Sequence, residues 1–326
     1  LIKLVQNEML KLVRKKKLLV IALIIGVLVS LFTYAQFKIV ERTVERLGEV
    51  DWRTTLQQQI IDTQNRLTSS RISDEWRSQL QLRIQQQQYY LDQDINPMEP
   101  GAPTFMRMFA ENSINLFIPL MVMVVAADLV SSERSAGTVK LLLTRPVKRW
   151  KILMSKYISL VLSVSFIVAI FGVLSYLISG IVFGYGGWKA PVITGFTVEG
   201  GELNTAGVHL IPQWQYLFMV FGLVWFVALV VGTLTFMLSV LMRSTAAGMG
   251  VMLAALIAGA ILNNMVASWE SAKYLFMINL KITDYLAGNT PPIEGMTLGF
   301  SLVVLAAWGL AALAVSFSVF TRQDVY

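Results

Sequence analysis

The chain has 326 residues, of which 55% are hydrophobic and only 14% charged, and it carries a net charge of +7. A soluble domain usually holds about 25% charged residues, so this composition excludes one large soluble core and points to an integral membrane protein. The lack of cysteine excludes a disulfide framework, a thiol nucleophile and a cysteine-ligated metal, and the single histidine, His209, gives histidine-dependent sites one candidate.

Residues 1–17, LIKLVQNEMLKLVRKKK, set Ile2, Val5, Met9, Leu12 and Val13 on one face at helical spacing, with Lys3, Lys11, Arg14, Lys15, Lys16 and Lys17 as the basic set. This reads as an amphipathic elbow helix lying on anionic headgroups, with Lys11 and Arg14 to Lys17 as its membrane-surface anchor. Each such charge contributes on the order of 1 kcal/mol. The plainer reading is an orientation signal for the first span, and both readings put the N-terminus in the cytoplasm. With Leu1 rather than Met at its head, the natural start is expected to be altered or missing.

Residues 18–37 are uncharged and long enough, at ~1.5 Å per residue, to cross a hydrocarbon core of about 30 Å. This run is too long for a cleavable signal and lacks a small-x-small site. Residues 38–112 then change character. Glutamine dominates, acids and bases nearly balance, and Val40, Val44, Leu47, Leu56, Ile60, Trp76, Leu80 and Ile84 recur at helical spacing. The pattern predicts two helices, about 38–67 and 73–95, split by Thr68-Ser69-Ser70, with Ser73 capping the second. Together they form an extracellular hairpin, a lid or partner-binding arm; the plainer alternative is a disordered polar linker. A loop longer than about 60 residues does not vote on topology.

The second span is predicted over 113–130, kinked at Pro119, with Asp128 at its cytoplasmic end paired to Arg134 or another loop base. The loop 131–156 follows, with Arg134, Lys140, Arg145, Lys148, Arg149, Lys151 and Lys156 against Glu133. A short, strongly basic loop between two spans belongs in the cytoplasm. Within it, Gly137-Thr138 opens an apolar run from Val139 to Leu143, and Pro146 closes it. A short apolar helix with nothing of its own chain to cover it reads as a docking surface. An ordinary positive-inside loop would explain the charges but not that arrangement.

The third span is predicted over 157–183, ending in Gly180-x-x-x-Gly184, a spacing that lets helices approach closely. Residues 184–213 form a Gly-rich extracellular loop holding His209 at the surface. Its GYGGWKA stretch lacks the Gly-x4-Gly-Lys-Ser/Thr spacing of a phosphate loop. Spans follow at 214–241 and 247–266, joined by a tight inner turn with Arg243, and Ala255-x-x-x-Gly259 is a second packing seam. Residues 267–296 are too short in apolar length to cross and read as an extracellular re-entrant or interfacial pair of short helices. A sixth span over 297–320 leaves a cytoplasmic tail, 321–326. The predicted fold is thus all-α, a polytopic membrane protein of six transmembrane helices.

The stretch Glu133-x-x-x-Gly137-Thr138-x-x-x-Leu142-Leu143-Thr144-Arg145-Pro146-x-x-Arg149, followed by Lys156, resembles the cytoplasmic loop of ABC-2 type transporter permeases. Its place between the second and third spans adds to the likeness. In that family the loop carries a coupling helix that sits on an ATP-binding subunit, and an elbow helix precedes the first span. The resemblance implies that Glu133, Gly137, Thr138, Val139, Leu142, Leu143, Arg145 and Pro146 form the ATPase-coupling contact. It implies two ABC ATPase subunits holding ATP and Mg, no cofactor in this chain, and a second permease copy, identical or a sister chain. It also implies export across a bacterial plasma membrane. Nucleic acid is not implied, because the bases lie beside apolar spans. The spans carry no charge at midmembrane, which disfavours an ion path, and lipid, amphipathic peptide, lipophilic antibiotic or glycan cargo stays open. Two other classes compete: a sensor or scaffold whose external hairpin binds a ligand, and an intramembrane enzyme. Asp128, Asn263 and Asn264 are poor material for the enzyme.

Overall fold

The computed structural model describes residues 1–47, 51–68, 74–97, 99–135, 137, 147–199, 202–263, 269–289, 291–293 and 295–322. Helices dominate. Helix α1 (Ile2–Arg14) turns at Lys16 into α2 (Lys17–Leu47); α3 (Trp52–Leu67) and α4 (Asp74–Asp92) follow. Next come α5 (Ala102–Ser113), α6 (Phe117–Ala126), α7 (Asp128–Ser135) and α8 (Arg149–Phe183). After a short β arm come α9 (Gln213–Leu241), α10 (Thr245–Leu262), two 3-10 turns (Glu270–Tyr274 and Phe276–Asn279), α11 (Asp284–Ala287) and α12 (Leu298–Arg322). Among the described residues, five helices are long and apolar enough to cross a membrane: α2, α8, α9, α10 and α12. Helix α5 with α6–α7 makes a sixth candidate, bent by 64°. The protein is a polytopic membrane protein. Side chains such as Leu23, Ile181, Phe218 and Leu310 point outward from these helices, as a lipid solvent permits.

Helices α8 and α9 form the centre. Leu160, Val164, Val224, Val227 and Val231 are fully buried between them and their neighbours α5, α6 and α12. Helix α8 carries Ser155, Ser159 and Ser163 at four-residue spacing. Each hydroxyl donates to a carbonyl three or four residues back, which satisfies it without a partner helix and keeps that face thin. Helices α9 and α6 pack tightly at Gly232, where a Cβ would meet Val122 Cγ1 at 2.8 Å. Gly232→Val should therefore destabilise the bundle by about 1–3 kcal/mol, the usual cost of overpacking, read as a lowered unfolding midpoint in detergent.

Several expectations need correction. The second span does not bend at Pro119. The break falls at 114–116, and Pro119 sits in the first turn of α6, where its missing N–H costs nothing. Residues 102–112, assigned to the external insert, belong to the bundle. Helix α5 buries Phe105, Phe109 and Ala110, and Phe109 stacks on Phe171 of α8 at 5.0 Å. The first arm of the insert is not one helix from 38 to 67. Residues 38–47 contain no Gly or Pro and simply prolong α2, and a new helix starts at Trp52.

The all-α expectation fails over 184–213. There β1 (Pro191–Thr194) pairs antiparallel with β4 (His209–Pro212), and β2 (Thr197–Glu199) with β3 (Glu202–Asn204). The nested register makes one arm, and runs such as PVIT and HLIP supply the β-branched residues it needs. His209 is exposed on this arm. Phe196 anchors the arm to α4, its ring lying 5.4 Å from that of Tyr89.

The two glycine seams are not contacts between spans. Gly180 receives the ring of Tyr185 from the turn that follows it, and Gly184, at φ +83°, ends α8. Gly259 instead admits Met277 of the second 3-10 turn, whose Cβ would lie 2.5 Å from an added methyl.

Candidate functional site

The region singled out by the sequence lies where α1, α7 and the start of α8 meet. Helix α1 is short and amphipathic, and its buried residues are Glu8 and Leu12. The apolar face predicted to rest on lipid is therefore divided. Leu12 packs into the bundle, while Ile2 and Val13 are 75% and 59% exposed. Helix α7 places Glu133 beside α1, and α8 places Lys156 two turns inside its own N-terminus.

These elements close a ring of four charges. Lys156 Nζ lies 2.9 Å from Glu8 Oε2 and 2.8 Å from Glu133 Oε2. Lys11 Nζ lies 2.7 Å from Glu8 Oε1 and 2.8 Å from Glu133 Oε1. Each lysine bridges both glutamates, and each glutamate uses both oxygens. Lys156, with a side chain only 2% exposed, gives its remaining proton to the Leu129 carbonyl at 2.9 Å. All three of its N–H donors are used, the condition under which a buried ammonium is tolerated.

Outside the ring, Asp128 Oδ2 accepts from Lys17 at 2.6 Å and from Lys15 at 3.0 Å. Its partners thus come from the elbow and not from Arg134, whose guanidinium bonds the Val240 carbonyl. Ser239 of α9 completes the clamp: its hydroxyl donates to the Ala127 carbonyl at 2.7 Å and accepts from the N–H groups of Val130 and Ser131. Those groups sit at the junction of α6 and α7, where a helix start leaves amides unpaired.

The predicted contact residues divide as follows. Glu133 is engaged in the ring. Gly137 is exposed, with φ +68°, and its N–H donates to the Arg134 carbonyl at 3.1 Å. An added Cβ there would touch nothing, so glycine serves the backbone turn that ends α7 and not a close contact. Thr138, Val139, Leu142, Leu143, Arg145 and Pro146 lie outside the described residues. Of the anchor set, Lys11, Lys15 and Lys17 make the ion pairs above, whereas Arg14 and Lys16 are exposed. Glu8 has no role in the sequence reading, and Lys156 figures there only as a loop base that follows the family-like stretch, not as the partner of Glu8 and Glu133. Among the described residues, no three His, Asp or Glu side chains gather as a metal would require.

Burial alone would raise the Glu8 carboxyl, but Lys156 and Lys11 outweigh it and hold it below the usual carboxylate range. Burial likewise lowers the Lys11 ammonium, and Glu133 and Glu8 outweigh that to hold it above its ordinary value. A depressed carboxyl contributes stability that is complete above its unfolded value and lost as pH falls through the folded one. A raised ammonium contributes stability that is complete below its unfolded value and lost as pH rises through the folded one. The seating of α1 should therefore be constant between about pH 5 and pH 10 and fail below about pH 4. Hydrogen exchange of residues 2–14 across pH, with exchange rates corrected for intrinsic chemistry, measures this. Protection that declined between pH 8 and pH 6 would count against the ring as its cause.

A family described as "Protein of unknown function (DUF2705)" matches residues 77–326, which include the loop and every candidate span after α2. The chain is 33% identical over 240 residues to "Uncharacterized protein YhcI" of Bacillus subtilis (strain 168), covering 73% of this chain and 74% of that protein. It is 28% identical over 215 residues to "Uncharacterized membrane protein YdbK" of the same organism, covering 65% and 80%.

Proposed function

The chain belongs to the DUF2705 family, and we propose that it is the transmembrane permease subunit of an ABC-2 type exporter. In this reading the loop 131–156 faces the cytoplasm, both termini lie on the same side, and the membrane is the plasma membrane of a bacterium. The apolar run Val139 to Leu143 docks in a groove on an ABC ATPase, with Arg145 at its edge. Two such ATPases hold ATP and Mg, and two permease bundles, identical or sister chains, meet at a midline and open alternately. The chain has no phosphate loop of its own, so the work of hydrolysis comes from its partners.

The observation that carries the reading is the charge ring at the root of the loop. A push on the loop enters through α7 and α8, and Glu133 and Lys156 are joined to the elbow through Lys11 and Glu8. The three helices would then move as one body, which is what a coupling element needs. The ring thus gives Glu133 a positioning role at the loop's base in place of a contact with the ATPase. The cargo fitting charge-poor spans is lipophilic, amphipathic, or peptide- or antibiotic-like.

Purification of the tagged full chain from native membranes in mild detergent tests the proposal. The expected result is co-purification of an ATP-hydrolysing chain. A stable complex with a signalling kinase and no ATPase would overturn it in favour of a membrane sensor whose α3–α4 insert binds the stimulus.

A further inference from the structure

At the end of the bundle away from the elbow, α4 and the segment from Glu270 to Asn289 face one another across a cleft of about 670 Å³. Its walls are tied together: Gln86 Nε2 donates to the Gly288 carbonyl at 2.6 Å, and Gly288 backs onto Phe196 of the β arm. An adjoining cavity of about 380 Å³ shares Lys281, Asp284 and Asn289 with it and extends to Glu111. The floor is at the level where two candidate spans end. Asn263 caps α10 and lines the cleft, and Tyr285, also lining it, bonds the Ser301 hydroxyl in the first turn of α12 at 3.0 Å. The ends of membrane-spanning helices lie near the boundary between hydrocarbon and water.

Two observations define what the cleft would hold. The first is an orphan acceptor. Asn279 is 2% exposed, and its Nδ2 donates at 2.8 Å to the carbonyls of Lys273 and Leu275. Asn279 is among the residues that line the cleft, and its buried Oδ1 has no donor among the described residues. A buried acceptor with no donor is costly, so a hydroxyl or N–H entering the cleft gains a bond at no desolvation cost to the protein. The second is unspent positive charge. Arg66 of α3, Arg83 of α4 and Lys281 line the same cleft, and no carboxylate among the described residues comes within 4 Å of them. A bare anion would leave Asn279 Oδ1 unsatisfied and meet Asp284 unfavourably. A neutral sugar would make no use of the three bases, and a cation would be repelled by them.

We infer that the cleft binds a polyol carrying a phosphate ester, of the glycerol-phosphate kind, at the membrane surface. The phosphate lies toward Arg66, Arg83 and Lys281, where charge-assisted bonds are the strong ones. The hydroxyls donate to Asn279 Oδ1 and to the Asp284 carboxylate. Two sources share this chemistry, the headgroup of phosphatidylglycerol and a soluble glycerol phosphate. The inference does not depend on whether the loop at the other end docks an ATPase.

The test uses the full chain in phosphatidylcholine nanodiscs. Binding of phosphatidylglycerol and of phosphatidic acid is counted by native mass spectrometry, and sn-glycerol 1-phosphate is titrated calorimetrically. Saturable binding of phosphatidylglycerol in preference to phosphatidic acid is expected. It should weaken on the order of ten- to a hundredfold in the double variant Arg83→Gln, Lys281→Gln, whose exposed positions leave the fold intact. Saturation by sn-glycerol 1-phosphate alone assigns the soluble source, and saturation only by the lipid assigns the membrane; both support the chemistry. Three results would overturn it: no saturable binding of any probe by the native chain, equal binding of phosphatidic acid, or an unchanged affinity in the double variant.

Discussion

Replacing Lys156 by Met should destabilise the protein by about 3–5 kcal/mol and release the elbow helix. The substitution nearly keeps the side-chain volume, so little of the loss is packing. What it removes is the cation that satisfies Glu8 Oε2 and Glu133 Oε2 at 2.9 and 2.8 Å. Two largely buried carboxylates would then share Lys11 alone, and breaking a buried ion pair from one side is the costly direction because a charge stays behind. Coulomb attraction alone does not decide the outcome, since desolvation of each ion costs several kcal/mol and offsets most of it. The stranded charge does.

Strong non-additivity follows from the stranded charge. Adding Glu8→Gln and Glu133→Gln to Lys156→Met removes the stranded charges and should recover a large part of the loss. Unfolding in detergent, with hydrogen exchange of residues 2–14 as the local probe, gives both numbers. A loss under about 1 kcal/mol for Lys156→Met, or simple additivity of the three changes, would show that the ring does not hold the elbow.

That ring also marks where the sequence was readable and where it was not. Apolar length identified α2, α8, α9, α10 and α12, because crossing a hydrocarbon layer demands a run that nothing else in a chain of this size needs. It failed at α5. The segment APTFMRMFAENS carries Arg107 and Glu111 and looks polar, yet its phenylalanines pack against α8 while Glu111 bonds the Tyr216 hydroxyl at 2.9 Å. Average hydropathy hides a helix whose charged groups find partners inside the fold.

Pairing of distant charges is equally invisible to local pattern. Lys156 comes to Glu8 across 148 residues of chain, and no periodicity links them. A signal was nonetheless present. Glu8 is the sole acid in the first forty residues, set in an otherwise basic elbow, and Lys156 lies two turns inside a helix whose other bases cluster at its start. Charges that the surrounding pattern does not explain are candidates for one another. Asp128 shows the same limit: a nearby base was expected, and the fold supplied Lys15 and Lys17 from the elbow.

The second large effect concerns the loop itself. Leu142→Asp with Leu143→Asp places two carboxylates where a partner's apolar groove would have to accept them. Desolvating each without a counter-charge costs far more than a docking contact of this size returns. The expected outcome is loss of the co-purifying ATPase, at least a hundredfold in affinity, and loss of ATP-dependent export. Thermal stability of the permease should stay within about 0.5 kcal/mol of the parent if the leucines serve only a partner. Retained ATPase binding by this variant would remove the docking surface from the account. A collapse of the isolated permease would instead reassign the leucines to its own core.

The most direct measurement is the sidedness of the loop. The chain has no cysteine, so Thr144→Cys gives a single reporter between Leu143 and Arg145. A membrane-impermeant maleimide applied to intact cells should leave it unlabelled, and should label it fully once the membrane is opened. Labelling in intact cells would place the loop outside, out of reach of any ATP-driven partner, and would contradict the account at its base.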